Sequence, residues 1–220
     1  AILRATGKAT GAVLNPQVAE GGCESYPTEV RMATYQALIA EGGLGDGDVD
    51  ASLWTSKNQS WRENVVLAGL DMPSFGAGPQ EAVMQAIYRQ NLGFTHFLIG
   101  RKHAAATFDD GAPIWGDFEA QQIFEGLPGQ LGIHTINVGF SAYFEEIGRV
   151  GLVGENQGNT AVAMTEAKVL DQLLAGEMPD TRVMRESTAR ILMEFHKPEA
   201  PDVPEESEAT EATEAAETEA

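Results

Sequence analysis

Between Gly11 and Phe195, short apolar runs alternate with longer stretches of helical period, and this alternation limits the fold more than any other feature of the chain. Gly11–Asn15, Asn64–Ala68, Phe94–Ile99 and Gly132–Val138 read as strands, with Pro16 closing the first. Helices are expected from Thr28 to about Ala40, from Gly78-Pro79 to about Asn91, over Asp117–Phe124, from about Thr165 to Ala175, and over Arg185–Phe195. Thr28 reads as an N-cap, with Val30, Met32, Tyr35, Leu38 and Ile39 on the apolar side that follows. Pro79 suits a first helical position, where its missing N–H would go unpaired anyway. Ala82, Val83, Ala86 and Ile87 form the expected buried stripe of that helix, and Val169, Leu170, Leu173 and Leu174 that of a later one. Glu41–Asp50, Gly100–Ile114 and the stretch after Val138 read as loops. Strands that alternate with helices predict an α/β fold, with a mainly parallel sheet and helices on both faces.

Charge divides the chain. Lys197 is the last basic residue, and nine acids follow it in a stretch of Pro, Glu, Ala and Thr with no large apolar residue after Val203. Such a segment buries too little surface to offset its ordering entropy, so residues 198–220 are expected to be a disordered acidic tail behind a domain over residues 1–197. The domain keeps 24 acids against 14 bases. It has no basic stripe, which argues against nucleic acid as a partner, and any polyanion must be held by local cations and backbone N–H groups. No apolar run is long enough to span a bilayer and no signal peptide is seen. Cys23 is the one cysteine, which excludes an internal disulfide framework and a cysteine-rich zinc site and fits a cytoplasmic setting. Ala1-Ile-Leu-Arg-Ala reads as the last turns of a helix that begins upstream.

Ligands of open parallel sheets bind beyond the carboxyl ends of the strands. Gly100-Arg101-Lys102-His103-Ala104 follows the clearest strand directly. Gly100 allows a sharp turn, Arg101 offers a planar fork of donors, Lys102 a point charge, and His103 a donor that titrates near neutral pH. The small residues Ala104, Ala105 and Ala106 let backbone approach a ligand. This is an anion site or, equally, a solvated basic turn. Ala77-Gly78-Pro79 is a helix entry with free N–H groups, which suits an anion and is also ordinary helix punctuation. His96, His134, His196 and Cys23 carry no assigned role. Asp109, Asp110, Asp117 and Glu119 match no dedicated metal motif, and no protein-held metal is expected.

Taken in order, Ala77-Gly78-Pro79-Gln80-Glu81-Ala82, then Thr95-His96-Phe97 with Gly100-Arg101-Lys102-His103-Ala104, then Trp115-Gly116-Asp117-Phe118-Glu119-Ala120-Gln121, resemble the catalytic domain of ATP sulfurylase (sulfate adenylyltransferase). Asn15-Pro16, Pro27–Arg31, Thr165–Lys168 and Leu173–Pro179 extend the likeness over roughly residues 8 to 196. The resemblance implies a Rossmann-like nucleotidylyltransferase fold. It also implies adenylyl transfer from MgATP to sulfate, giving adenosine 5′-phosphosulfate and pyrophosphate, or the reverse. Arg101 and His103 would then contact nucleotide phosphates as the catalytic pair, and the Ala104 N–H would help hold sulfate. Gly100, Gly78, Thr165 and Lys168 would complete the substrate site. Magnesium would enter with ATP and zinc would not be used; self-association is left open.

The chain departs from the family pattern at several positions. The Gln-x-Arg-Asn-Pro-x-His-x-x-His segment is not found, so the first strand of the domain is expected upstream of Ala1, and the 220-residue chain is expected to be inactive alone. Lys102 stands where the family has Asp, Ala105 where it has Gly, Ser74-Phe75-Gly76 where it has Met-Arg-Tyr, and Lys168 where it has Arg. A non-catalytic nucleotide- or anion-binding relative of the same fold is the alternative.

Overall fold

A computed structural model describes residues 11–21, 25–43, 64–162 and 164–197. The expected acidic tail, the upstream helix turns, Cys23 and most of the Glu41–Asp50 loop lie outside them. Strand β1 (Ala12–Leu14) pairs in parallel with β2 (Val65–Leu67), in the register Ala12 to Val65. Strand β3 (His96–Ile99) pairs in parallel with β4 (His134–Asn137), in the register His96 to His134. Helices α1 (Thr28–Ala40), α2 (Pro79–Asn91), α3 (Glu119–Gln122), α4 (Glu166–Leu174) and α5 (Glu186–His196) follow the predicted ranges closely. The α/β class holds, and both pairs whose strands are joined through a helix run parallel.

Among the described residues the strands stand as two-stranded sheets. A groove of about 310 Å³ lies between β1 and β3, lined by Gly11–Asn15, Phe94–Leu98 and Arg89. Val13 and Leu98, strand residues on its walls, are 37% and 40% exposed.

Three expectations are corrected. The loop after Val138 contains an antiparallel hairpin, β5 (Ser141–Phe144) and β6 (Arg149–Leu152), turned at Gly148 with φ 64°. Four-residue strands are too short to carry a firm period, yet Phe144 is almost fully buried. Thr28 is the first residue of α1 and not its cap; Pro27 precedes it, and the Thr28 hydroxyl donates to the Val18 carbonyl at 3.2 Å. The helix stripes are also displaced. Ile87, Leu170 and Leu174 are exposed, and α2 buries Glu81, Ala82, Gln85, Ala86 and Arg89. The polar members of that face spend their hydrogen bonds on one another and on loops, which removes the penalty that a count of apolar residues assumes.

Two apolar clusters result. Ala82, Ala86, Phe97, Ile99, Ala120 and Ile133 join α2 to β3 and α3, and so position the carboxyl end of β3. Leu173, Ala189 and Leu192 join α4 and α5, with Tyr26 and Val30 packed against them. Arg182 ties the hairpin turn to the approach to α5, donating to Glu145 at 2.8 Å and to Asp180, whose carboxyl it holds down at about 2.

Candidate functional site

The three motif stretches meet at the end of β3. Gly78 N donates to the Ala104 carbonyl at 2.8 Å, and Ala77 bridges Ala105, so the entry to α2 is clipped to the loop. Lys102 N donates to the Asp117 carbonyl at 2.8 Å, which brings in the third stretch. The Trp115 ring lies over Gly78: a Cβ on that glycine would sit 2.4 Å from Trp115 Cδ1. Gly78 also has φ 53°, ψ −121°, a conformation open to glycine, so both close approach and backbone select it.

Lys102 (φ 50°) and Ala104 (φ 52°) are the non-glycine residues with positive φ among those described. The hand of the backbone therefore alternates through Arg101–Ala104. Such alternation is the backbone pattern of an anion-binding nest, although the Lys102 N–H within it is turned to the Asp117 carbonyl. The N–H groups of Arg101, His103 and Ala104 donate to no acceptor among the described residues. Arg101 and Lys102 are exposed and share the Asp117 carboxylate at 3.5 and 3.9 Å. These are long, solvent-screened pairs of small net strength, and a phosphate can displace them. The Arg101 guanidinium stacks on Phe140, 4.7 Å from the ring centroid, which limits its freedom without using its donors.

His103 is placed otherwise. Its ring is half-buried, edge-on to Phe97 at 5.4 Å, and its Nε2 lies 2.9 Å from Gln85 Oε1. Burial first, then the nearby Arg89 charge, lowers its affinity for a proton, while Glu81 acts weakly the other way. The imidazole is therefore neutral at pH 7.

Behind the loop lies a polar set that motif matching did not assign. Glu81, 2% exposed, accepts at Oε2 from Phe75 N (3.1 Å) and Ala77 N (3.0 Å), and at Oε1 from Gln85 Nε2 (3.0 Å) and Gln17 Nε2 (3.4 Å). Arg89 donates to the Gln85 and Asn15 carbonyls at 3.2 and 3.0 Å and lies over Phe97. The signal in the sequence was the four-residue spacing of Glu81, Gln85 and Arg89, which puts all three on one helix face.

Thr165 caps α4, accepting from Lys168 N at 3.3 Å, and both side chains are exposed. Among the described residues no hydrogen bond or ion pair joins them to the Gly100–Ala104 loop. Nor does any group of three or more His, Cys, Asp or Glu gather there as a metal would require. No described helix is long and apolar enough to cross a membrane.

The family model for ATP-sulfurylase matches residues 1–195. A sulfate adenylyltransferase of Pyropia yezoensis is 56% identical over 186 residues, 84% of this chain and 44% of that protein. One from Symbiobacterium thermophilum is 31% identical over 187 residues, 84% of this chain and 42% of its own length. Among solved structures, a hexameric APS kinase from Thiobacillus denitrificans aligns with a TM-score of 0.46 at 13% identity, over 88% of this chain and 38% of that one. The chain thus spans less than half the length of the curated relatives it matches.

Proposed function

Because this chain belongs to the ATP-sulfurylase family, we propose that it forms the nucleotide-handling core of a sulfate adenylyltransferase, a nucleotidyltransferase that joins the adenylyl group of MgATP to sulfate. A sulfate oxygen attacks the α-phosphorus. The new P–O bond forms as the bond to the bridging oxygen breaks, and pyrophosphate leaves with the electron pair. The protein's part in such a step is positioning and stabilisation of charge on the α-phosphate and leaving group.

The observation that carries this reading is the Arg101–Ala104 loop: alternating backbone hand, three N–H groups unengaged among the described residues, and two exposed cations at the carboxyl end of a parallel strand. Arg101 grips phosphate oxygens with its fork. The Ala104 N–H faces the sulfate; Gly78 serves the site by clipping the helix entry to Ala104, and Gly100 belongs to it through the family pattern alone. Magnesium comes as part of the nucleotide substrate, and the setting is cytoplasmic. Thr165 and Lys168 belong to the site through the family pattern alone.

We also propose that the groove between β1 and β3 receives a further parallel strand from the same polypeptide. Among the described residues its walls carry strand edges with no partner strand and the exposed Val13 and Leu98, which a strand of apolar residues would cover. The two parallel pairs would then form one sheet. A second reading, a non-catalytic anion-binding relative, is favoured by one observation: Asp117 already lies against both Arg101 and Lys102 and offsets part of their charge.

The test is sulfate-dependent release of pyrophosphate from ATP by a protein of the relatives' full length that contains this chain. Release that needs sulfate supports the enzyme. Tight ATP binding with no release at any sulfate concentration gives the second reading.

A further inference from the structure

The polar set behind the loop has a direction. The Pro73 carbonyl can only accept, and it takes a hydrogen bond from Gln17 Nε2 at 3.0 Å, which fixes that amide. Gln17 Oε1 then accepts from Gln85 Nε2 at 3.2 Å. The other Gln85 N–H goes to Glu81 Oε1 at 3.0 Å. Glu81 itself meets N–H donors at both oxygens. Both hydrogens of the Gln85 amide are thus used, and its oxygen is left to face His103 Nε2. Turning the amide over would set that oxygen against Glu81 Oε1 and Gln17 Oε1, two acceptors in a buried site.

We propose that Glu81, acting through Gln85, holds His103 as the Nε2–H tautomer, so that its Nδ1 is a bare lone pair and His103 engages a phosphate oxygen only after a proton is added there. Glu81 and Gln85 are positioning residues, since both act through His103. The ligand half rests on the function proposed above; the tautomer rests on the hydrogen-bond geometry alone. The proton comes from solvent, and the resulting imidazolium donates Nδ1–H to the anion while Nε2–H stays on Gln85. From α2, Arg89 opposes this added charge and Glu81 favours it; from β3, the neutral Phe97 ring packs against it. In the loop itself, Arg101 and Lys102 are exposed and paired with Asp117. A bound phosphate therefore supplies the missing counter-charge, and binding draws in a proton.

Long-range proton–nitrogen NMR of the ¹⁵N-labelled chain tests the tautomer, with the His103 signals assigned by their loss in His103→Asn. At pH 8 the wild type should show a protonated Nε2 and a bare Nδ1. In Glu81→Gln the new amide can donate to a turned Gln85, which only Gln17 Oε1 then opposes, so the Nδ1–H form should appear beside the Nε2–H form. Gln85→Met, which leaves the carboxylate in place should the first variant fail to fold, should give a mixture. A wild-type Nδ1–H form would overturn the tautomer, and an unchanged Nε2–H form in both variants would overturn its control by Glu81 and Gln85. Calorimetry of ATP and of inorganic pyrophosphate with the full-length protein, in buffers of different ionisation enthalpy, tests the ligand half. Net proton uptake is expected, with affinity falling by up to about tenfold per pH unit as pH rises. Binding without proton uptake would refute it. Failure of both probes to bind would count against the proposed function and leave the tautomer to be decided by NMR.

Discussion

Arg101 and His103 sit two residues apart and differ in kind. Arg101 is exposed, stacked on Phe140, and paired only through long contacts, so its donors are open to a ligand. A charge-assisted contact to phosphate contributes about 1.5–3 kcal/mol. Arg101→Ala in the full-length protein should therefore weaken ATP or adenosine 5′-phosphosulfate binding by roughly ten- to a hundredfold at fixed salt and magnesium, with an unchanged fold. Arg101→Lys should recover part of this, since an ammonium cannot reproduce a two-point fork. Equal affinity in wild type and Arg101→Ala, measured by calorimetry, would remove the loop from the site. His103 is held neutral, with its proton affinity below the ordinary histidine value. Unfolded chains protonate histidine near pH 6.5, so on acidification the unfolded state gains that proton first. The stability that His103 contributes is present above about pH 6.5 and is lost as pH falls from there through its folded pKa. Urea denaturation of wild type and His103→Gln across pH 5–8 should show the wild type losing more stability toward pH 5; parallel curves would mean that the ring is solvated.

At the scale of elements, α2 is the organising piece. It starts at Gly78, buries a polar face against the loops, and packs Ala82 and Ala86 against β3 and α3. Gly78→Ala would set a Cβ against Trp115 and force a glycine-only backbone conformation. A loss of about 1–3 kcal/mol is expected from the strain alone, read as a lower denaturation midpoint, together with weaker nucleotide binding because the helix entry is clipped to Ala104. A variant with wild-type stability would show that Trp115 moves aside freely. In the second cluster, Leu192→Ala removes a buried side chain between α4 and α5 and should cost about 2–5 kcal/mol. Because this cluster shares no members with the one beneath the loop, nucleotide affinity of the folded fraction should stay unchanged. A parallel fall in affinity would show that the two clusters are coupled.

On the scale of the whole molecule, two parallel pairs face a groove whose walls leave apolar strand residues open. A strand seated there would bury Val13 and Leu98 and satisfy two edges at once. The isolated 220-residue chain should accordingly show little or no sulfate-dependent pyrophosphate release. A protein extended to the relatives' length should melt at a higher temperature and turn over. Robust turnover by the short chain would show that the site is complete without that strand.

The sequence by itself determined the α/β class, the parallel sense of the helix-linked pairs, four strands and five helices to within a few residues, and the loop on which Arg101 lies. Those features follow from local periodicity, from glycine and proline punctuation, and from motif order, all of which a linear chain carries. Tertiary structure decided the rest. The left-handed turns at Lys102 and Ala104 are residue choices that local preference disfavours, and they are held by contacts to Gly78 and Asp117. Phe144 marks a hairpin whose strands are too short to announce themselves, and its burial depends on long-range packing. Glu81, Gln85 and Arg89 look like a solvated face when read one by one. Only the approach of Gln17, Asn15, Phe75 and His103 from distant parts of the chain supplies the hydrogen bonds that make burying them affordable.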